Sequence, residues 1–551
     1  MSCFKVTRSF FPLSLALSCA LTPVSAQEVL LGQPNAVLAP DEPITVAPSD
    51  ETYGTTGGGF GTDIGSTSLA APSVEAAGLV GAGSVGMDDA MWGATDGARA
   101  IALIDAAEPA ALYSVDRLVR RVLVAGATPP ENADGLLAAR SRALVRFGAA
   151  EEASSLAGAA GRDASPALRR ARAEAALIVG RDETLCEKDV LGADAPPSSG
   201  GTDTFWSGLR AYCLARTGDP LAAVAVNAMV ELGSVDPSDA PLLEALVDES
   251  LIDYVPVPHA SALTPLRIAM LRSMGRANKP SIESAPLPMI AGLFALESTG
   301  AKGALIAAQR LEAVGAIETL VLREMYVSFA DSVDGALGRR AKAVRDAEKT
   351  PDVTAIGDAL VAAAGANGKG GFAQLARVMA PMVLRIPTDR AQGMNGAAGY
   401  ALRDSMLLGG HTEEAGAWSQ MQGATTPEER ADVAAVMAVA DADWSAAWTR
   451  PFGDTLRART RGGDEHARRA LASLAGLGIA LRPDLPDEGI LKAARERKVA
   501  ETVLSAAAML GGESPPTART LDTVIRALRE VGLEDEARSI AIETMISERW
   551  R

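Results

Sequence analysis

The sequence predicts an all-α chain of repeated helical hairpins, and three observations carry that prediction. Apolar residues fill 48% of the 551 positions while aromatics supply only 4%. Ala, Leu and Val dominate, which suits close helix packing and leaves few large rings for a β-sandwich core. From Asp88 onward, Ala- and Leu-rich stretches recur with apolar residues at helical spacing, divided by short Gly, Pro and Asp breaks. No series of alternating strand patterns accompanies them. A chain of this length exceeds what one compact core serves, so two or more domains or an extended array are expected.

The first element is an export signal. Lys5 and Arg8 precede an apolar stretch from Phe10 to Leu21, and Val24-Ser25-Ala26 offers a small-residue cleavage site, so residues 1–26 read as a secretory signal peptide. Lipidation at Cys19 is the weaker alternative, because Ala16 stands where a large aliphatic residue is usual. Residues 27–87 are rich in Gly, Pro, Ser, Thr and Ala without an apolar period, which predicts a disordered leader. An N-terminal helical array over 88–255 and a C-terminal one over 256–551 are then expected, divided where Pro256 and Pro258 interrupt the helical texture. No later segment reaches the roughly 18 uninterrupted apolar residues of a membrane span, so a periplasmic or secreted chain is expected. Signal removal takes Cys3 and Cys19 and leaves Cys186 and Cys213. In an oxidising compartment that pair predicts a disulfide worth roughly 3 to 4 kcal/mol on the chain-entropy model.

Within the arrays, Ser165-Pro166, Asp219-Pro220 and Thr426-Pro427 each place a capping residue before a Pro at the first helical position. Glu429 completes a capping box with Thr426. A helix-turn-helix phrase also recurs, with Gly ending one helix and Ala five residues later on the next: Gly148 to Ala153, Gly218 to Ala223, Gly410 to Ala415 and Gly532 to Ala537. It resembles the inter-helix turn of tetratricopeptide repeats, and the resemblance implies an irregular α-solenoid, since the occurrences keep no 34-residue period. Met91-Trp92-Gly93, the stretch from Leu137 to Phe147, Phe205-Trp206 and Tyr212-Cys213 together resemble a group of uncharacterised exported helical proteins of alphaproteobacteria. That resemblance covers roughly residues 88–235 and implies envelope location and helical hairpins.

A formal charge of −17 argues against a nucleic-acid-binding surface. Only nine of the 52 basic residues are Lys, and the Arg excess is read as base composition of the genome, without function. Gly81-Ala82-Gly83-Ser84-Val85-Gly86 matches the dinucleotide fingerprint in text, with Ile101 to Asp105 in the place of a second strand. No series of βαβ units follows, so no cofactor is expected. The run from Gly365 to Gly371 lacks the Ser or Thr after Lys369 that a phosphate loop needs. His259, His411 and His466 have no metal-ligand spacing, and Asp236, Asp239, Glu244 and Asp248 lack calcium-loop order, so no metal is expected. Glu283-Ser284 and Glu297-Ser298 lack the context of a peptidoglycan-cleaving centre. Trp444 and Trp448, four apart on one helix face, form a candidate ledge for a peptide or glycan. The expected function is a non-catalytic exported helical-repeat scaffold for an envelope protein or peptide; a cell-wall glycan-acting enzyme is the alternative.

Overall fold

The computed structural model describes residues 73–550 except 111, 161–163, 191–203, 276–281, 295–299, 365–370, 393, 395, 423, 425, 442, 444–447, 481–487 and 512–514. Helix follows helix from α1 (Gly97–Ala106) and α2 (Tyr113–Val124) to α3 (Leu136–Arg146), α4 (Ala150–Gly158) and α5 (Pro166–Val179). Next come α6 (Phe205–Ala215), α7 (Pro220–Glu231), α8 (Ala240–Val247), α9 (Pro265–Ser273), α10 (Leu287–Phe294), α11 (Gly300–Glu312) and α12 (Thr319–Phe329). The chain continues through α13 (Gly335–Lys349), α14 (Val353–Ala364), α15 (Gly371–Val383), α16 (Ala397–Leu408), α17 (Thr412–Gln422) and α18 (Pro427–Ala440). It ends with α19 (Arg450–Arg461), α20 (Glu465–Gly476), α21 (Glu488–Arg495), α22 (Val499–Leu510), α23 (Ala518–Glu530) and α24 (Glu534–Arg549). The only sheet among the described residues is a two-residue parallel pair, β1 (Val80–Gly81) on β2 (Ala125–Gly126). The fold is all-α.

Local chemistry sets the ends of these helices. Ser165 and Asp219 accept from the backbone N–H of Leu168 and Leu221 at 3.2 and 2.8 Å. Thr426 and Glu429 exchange both bonds of the capping box, each at 3.1 Å. All four glycines of the recurrent phrase are left-handed, with φ of 75° at Gly148, 67° at Gly218, 84° at Gly410 and 88° at Gly532. They turn α3 into α4, α6 into α7, α16 into α17 and α23 into α24. Ala153, Ala415 and Ala537 are fully buried, so the small side chain sits where paired helices meet.

Neighbouring helices pack in sequence order, and the two ends then meet. α1 and α2 pack against α22, and α2 also packs against α24. Backbone N–H of Ala500 donates to Met91 O at 2.9 Å, and Arg121 pairs with Glu536. A side branch of α6, α7 and α8 packs on α9. Cys186, in the short helical segment Leu185–Val190 after α5, is bonded to Cys213 of α6, with their Cα atoms 5.3 Å apart.

The leader was expected to reach residue 87, yet Ala82 and Met87 are buried and Ser73 to Gly86 form short turns with β1. Hydrogen bonds hold this segment in place of apolar periodicity: the Glu75 carboxylate accepts from Gly135 and Leu137 N–H, at the start of α3. Pro256 and Pro258 do interrupt the helices, but α8 and α9 pack together across them, and the described residues from Ser73 onward fall in one compact unit. The expected signal peptide and the expected leader up to residue 72 lie outside the described residues.

Arginine has a structural role that composition concealed. The last carbonyls of a helix lack intrahelical donors, and here guanidinium groups of other helices supply them. Arg140 of α3 donates to Leu123 O and Ala125 O at the end of α2, at 2.8 and 2.5 Å, and to Ala77 O at 2.7 Å. Arg272 of α9 closes α5 through Leu177 O and Ile178 O at 2.8 and 3.2 Å. Arg146 does this for α1, Arg529 for α20 and Arg538 for α18. Burial pulls the Arg140 guanidinium down to about 10, which still leaves it charged at neutral pH.

Replacing Arg140 by Met leaves three carbonyls without donors and should lower unfolding stability by at least about 3 kcal/mol. Arg142→Met on the same helix removes only an exposed pair with Asp105 and should change it by about 0.5 kcal/mol or less. Urea titration of both variants checks the contrast, and equal losses would refute the capping role.

Candidate interaction surface

The densest buried polar cluster lies where α2, α11, α15 and α24 converge. Glu543 of α24 accepts from the N–H groups of Tyr113 and Ser114 at 2.8 Å each and from Ser114 Oγ at 2.6 Å. A carboxylate thus caps the positive end of α2 from a helix 430 residues away in sequence. Arg377 of α15 donates to both oxygens of Glu312 at 3.0 and 3.1 Å, lies 3.7 Å from Glu543 and stacks over the Tyr113 ring at 4.0 Å. Gln374 and Thr319 also donate to Glu312, at 2.7 and 2.8 Å. Burial opposes the Arg377 charge, but Glu312 and Glu543 outweigh it and hold the guanidinium above its usual range. Glu312 and Glu543 are thereby engaged with protein donors, an arrangement that ties helices together and leaves no carboxylate pair facing an open cleft at this cluster.

Asp116 is the exception in this cluster. Its Oδ1 accepts from Ala110 N–H at 2.7 Å, while its buried Oδ2 has no hydrogen-bond partner. Burial, with the Glu543 charge nearby, pushes the Asp116 carboxyl well above the ordinary carboxylate range. A second cluster binds the end of α24 to α16. Asp404 accepts from Arg403 Nε at 2.9 Å, Arg549 Nη1 at 3.1 Å and Trp550 Nε1 at 2.8 Å, and Phe372 stacks on Trp550 at 4.4 Å. Burial disfavours the Asp404 charge, yet the two guanidinium groups hold its carboxyl below the usual range.

The residues singled out from sequence scatter over the fold. Trp444 lies outside the described residues; Trp448 is half-buried, its ring tilted against Phe452 at 5.9 Å. The Gly81 to Gly86 run forms β1 and a tight turn, while Ile101 to Asp105 lie inside α1 and form no strand. Of the Gly365 to Gly371 run, only Gly371 is described. Asp239 is bonded to Arg267 at 2.6 Å, and Glu283 forms an exposed pair with Lys302. Glu297 and Ser298 are outside the described residues. His259 caps a short turn, His411 sits in the turn before α17, and His466 lies 3.7 Å from Asp432. No group of three metal-binding side chains occurs among the described residues, and no helix there is long and apolar enough to cross a membrane.

One surface departs from this pattern of committed side chains. Helix α7 buries only Ala222 and Val226. Leu221, Val224 and Leu232 remain 78%, 66% and 80% exposed, and Tyr254, beyond α8, is 83% exposed. With Ala225 and Ala228, also exposed, the positions from Leu221 to Leu232, the residue that ends α7, fall at i, i+3, i+4, i+7 and i+11. They make an apolar stripe about 100° wide, the width a helix ordinarily turns to a core. Sequence reading missed it because α7 has the same Ala and Val texture as helices that are buried.

Because Asp116 binds a proton more readily folded than unfolded, it contributes stability that declines as pH rises from about 4 toward its folded value. Asp116→Asn keeps the acceptor for Ala110 and removes this titration. The stability of the variant relative to the parent should therefore rise between about pH 4 and pH 7 in denaturant titrations, and a constant difference would contradict the assignment.

No protein-family model, curated protein or solved structure matches this chain, so function is read from its own residues.

Proposed function

We propose that this chain is an exported, non-catalytic scaffold of tetratricopeptide-like helical hairpins that docks a protein or peptide of the cell envelope. The exposed apolar face of α7 is the observation that carries this reading. Monomeric proteins seldom leave a continuous helix face of this width uncovered unless something binds there. The left-handed Gly turns and buried Ala contacts support the repeat-like hairpin reading. The Cys186 to Cys213 bond supports an oxidising compartment and agrees with the export signal expected over residues 1–26. The engaged Glu312 and Glu543 carboxylates favour a framework over a glycan-cleaving centre, which needs an acid and a base facing its substrate.

Leu221→Ser with Leu232→Ser should leave the unfolding free energy within about 1 kcal/mol of the parent, since both side chains are mostly exposed. In-cell crosslinking followed by mass spectrometry should give adducts on α7 in the parent and lose them in the double variant. Soluble muropeptides released from cell-wall material by the purified protein would overturn the non-catalytic assignment. Thiol titration of the exported protein, unfolded without reductant, should find no free thiol; two would contradict export into an oxidising space.

A further inference from the structure

We infer that the α7 face receives a cationic amphipathic helix of another protein, an inference that rests on the scaffold reading and names the chemistry of its partner. Geometry defines the shape of the occupant. Leu221 and Leu232 stand eleven residues apart, about 16 Å along the helix, so roughly three turns of an apposed helix cover the stripe. Exposed Ala225 and Ala228 lie between them and let a second axis approach closely, while the two leucines offer ridges at either end. This is the surface expected to pair with a partner helix presenting apolar residues at i, i+3, i+4 and i+7.

Charge selects among such helices. From Asp219 through Tyr254 the chain carries eight Asp or Glu residues and no Lys or Arg. Asp239 is buried against Arg267 at 2.6 Å and Asp236 lies 3.7 Å from the same guanidinium, whereas Glu231, Glu244 and Glu249 are exposed. Glu231 stands at the edge of the stripe, three residues beyond Ala228 and seven beyond Val224. A partner with Lys or Arg beside its apolar ridge meets opposite charge along α7 and α8, which favours encounter and orientation. A second copy of the chain would bring acid against acid, so self-pairing through α7 is disfavoured.

The test uses the full exported chain and synthetic helical peptides of about 18 residues. One peptide has Leu at i, i+3, i+4 and i+7 with Lys elsewhere, a second replaces every Lys by Glu, and a third scrambles the Leu and Lys order. Fluorescence anisotropy should show binding of the Lys peptide, at least tenfold tighter than of the other two. That affinity should fall at least tenfold in the Leu221→Ser, Leu232→Ser double variant, and its salt dependence should weaken in Glu231→Gln. Equal binding of the Glu peptide would overturn the cationic assignment while leaving α7 as a docking face. Undiminished binding to the double variant would overturn α7 as the site. No binding by any peptide would overturn the inference, and sedimentation showing a dimer that the double variant loses would assign the face to a second copy. In-cell adducts on α7 report on the scaffold reading separately, so its failure is distinguishable from failure of the partner chemistry.

Discussion

The donation of arginine N–H groups to the final carbonyls of other helices is the interaction on which this architecture depends. Short helices have many ends, and each leaves up to four carbonyls without intrahelical partners. When those ends are covered by other helices, water cannot serve them and a protein donor must. A guanidinium reaches several carbonyls at once because its donors lie in a planar fork, as Arg140 does with Leu123, Ala125 and Ala77. It also keeps its charge under burial, where an ammonium readily gives up its proton, and that charge suits the negative end of a helix. The preference for Arg over Lys in this chain has a physical use at these ends, whatever the base composition of its gene.

Closure of the chain follows from the same logic applied to the opposite helix end. Glu543 supplies the acceptor that the first N–H groups of α2 lack, and Arg377 balances Glu543 and Glu312 together. Asp116 is buried with the Glu543 charge nearby, which would be costly if both were ionised, and the raised Asp116 carboxyl relieves part of that cost. These bonds commit the inner faces of α2, α11, α15 and α24. The branch of α6, α7 and α8 stands outside this closure, with α7 placed against α6 and α8 on one side only. Its other face is where apolar surface remains available to a partner.

Whatever depends on neighbouring residues was legible in the sequence. Gly148, Gly410 and the Thr426 to Glu429 box act within one helical turn, so pattern alone located their turns and caps. The Cys186 to Cys213 bond was legible because the expected removal of residues 1–26 would leave no other pair. What could not be read depends on distant partners. Glu75 holds the end of the expected leader through Gly135, sixty residues away, and α8 and α9 pack together across the prolines after Tyr254. Of the candidate ledge at Trp444 and Trp448, only Trp448 is described, half-buried with its ring tilted against Phe452. The exposed stripe of α7 was invisible because an apolar helical period states that a face seeks cover and not whether this chain supplies it.

Hydrogen exchange of the full chain in rising denaturant, read by mass spectrometry, tests the closed framework most directly. Amides of α2 and α24 should lose protection together in one cooperative step, because Glu543 and Arg121 bind the two helices to each other. Release of α2 at a lower denaturant concentration, with α24 still protected, would contradict it.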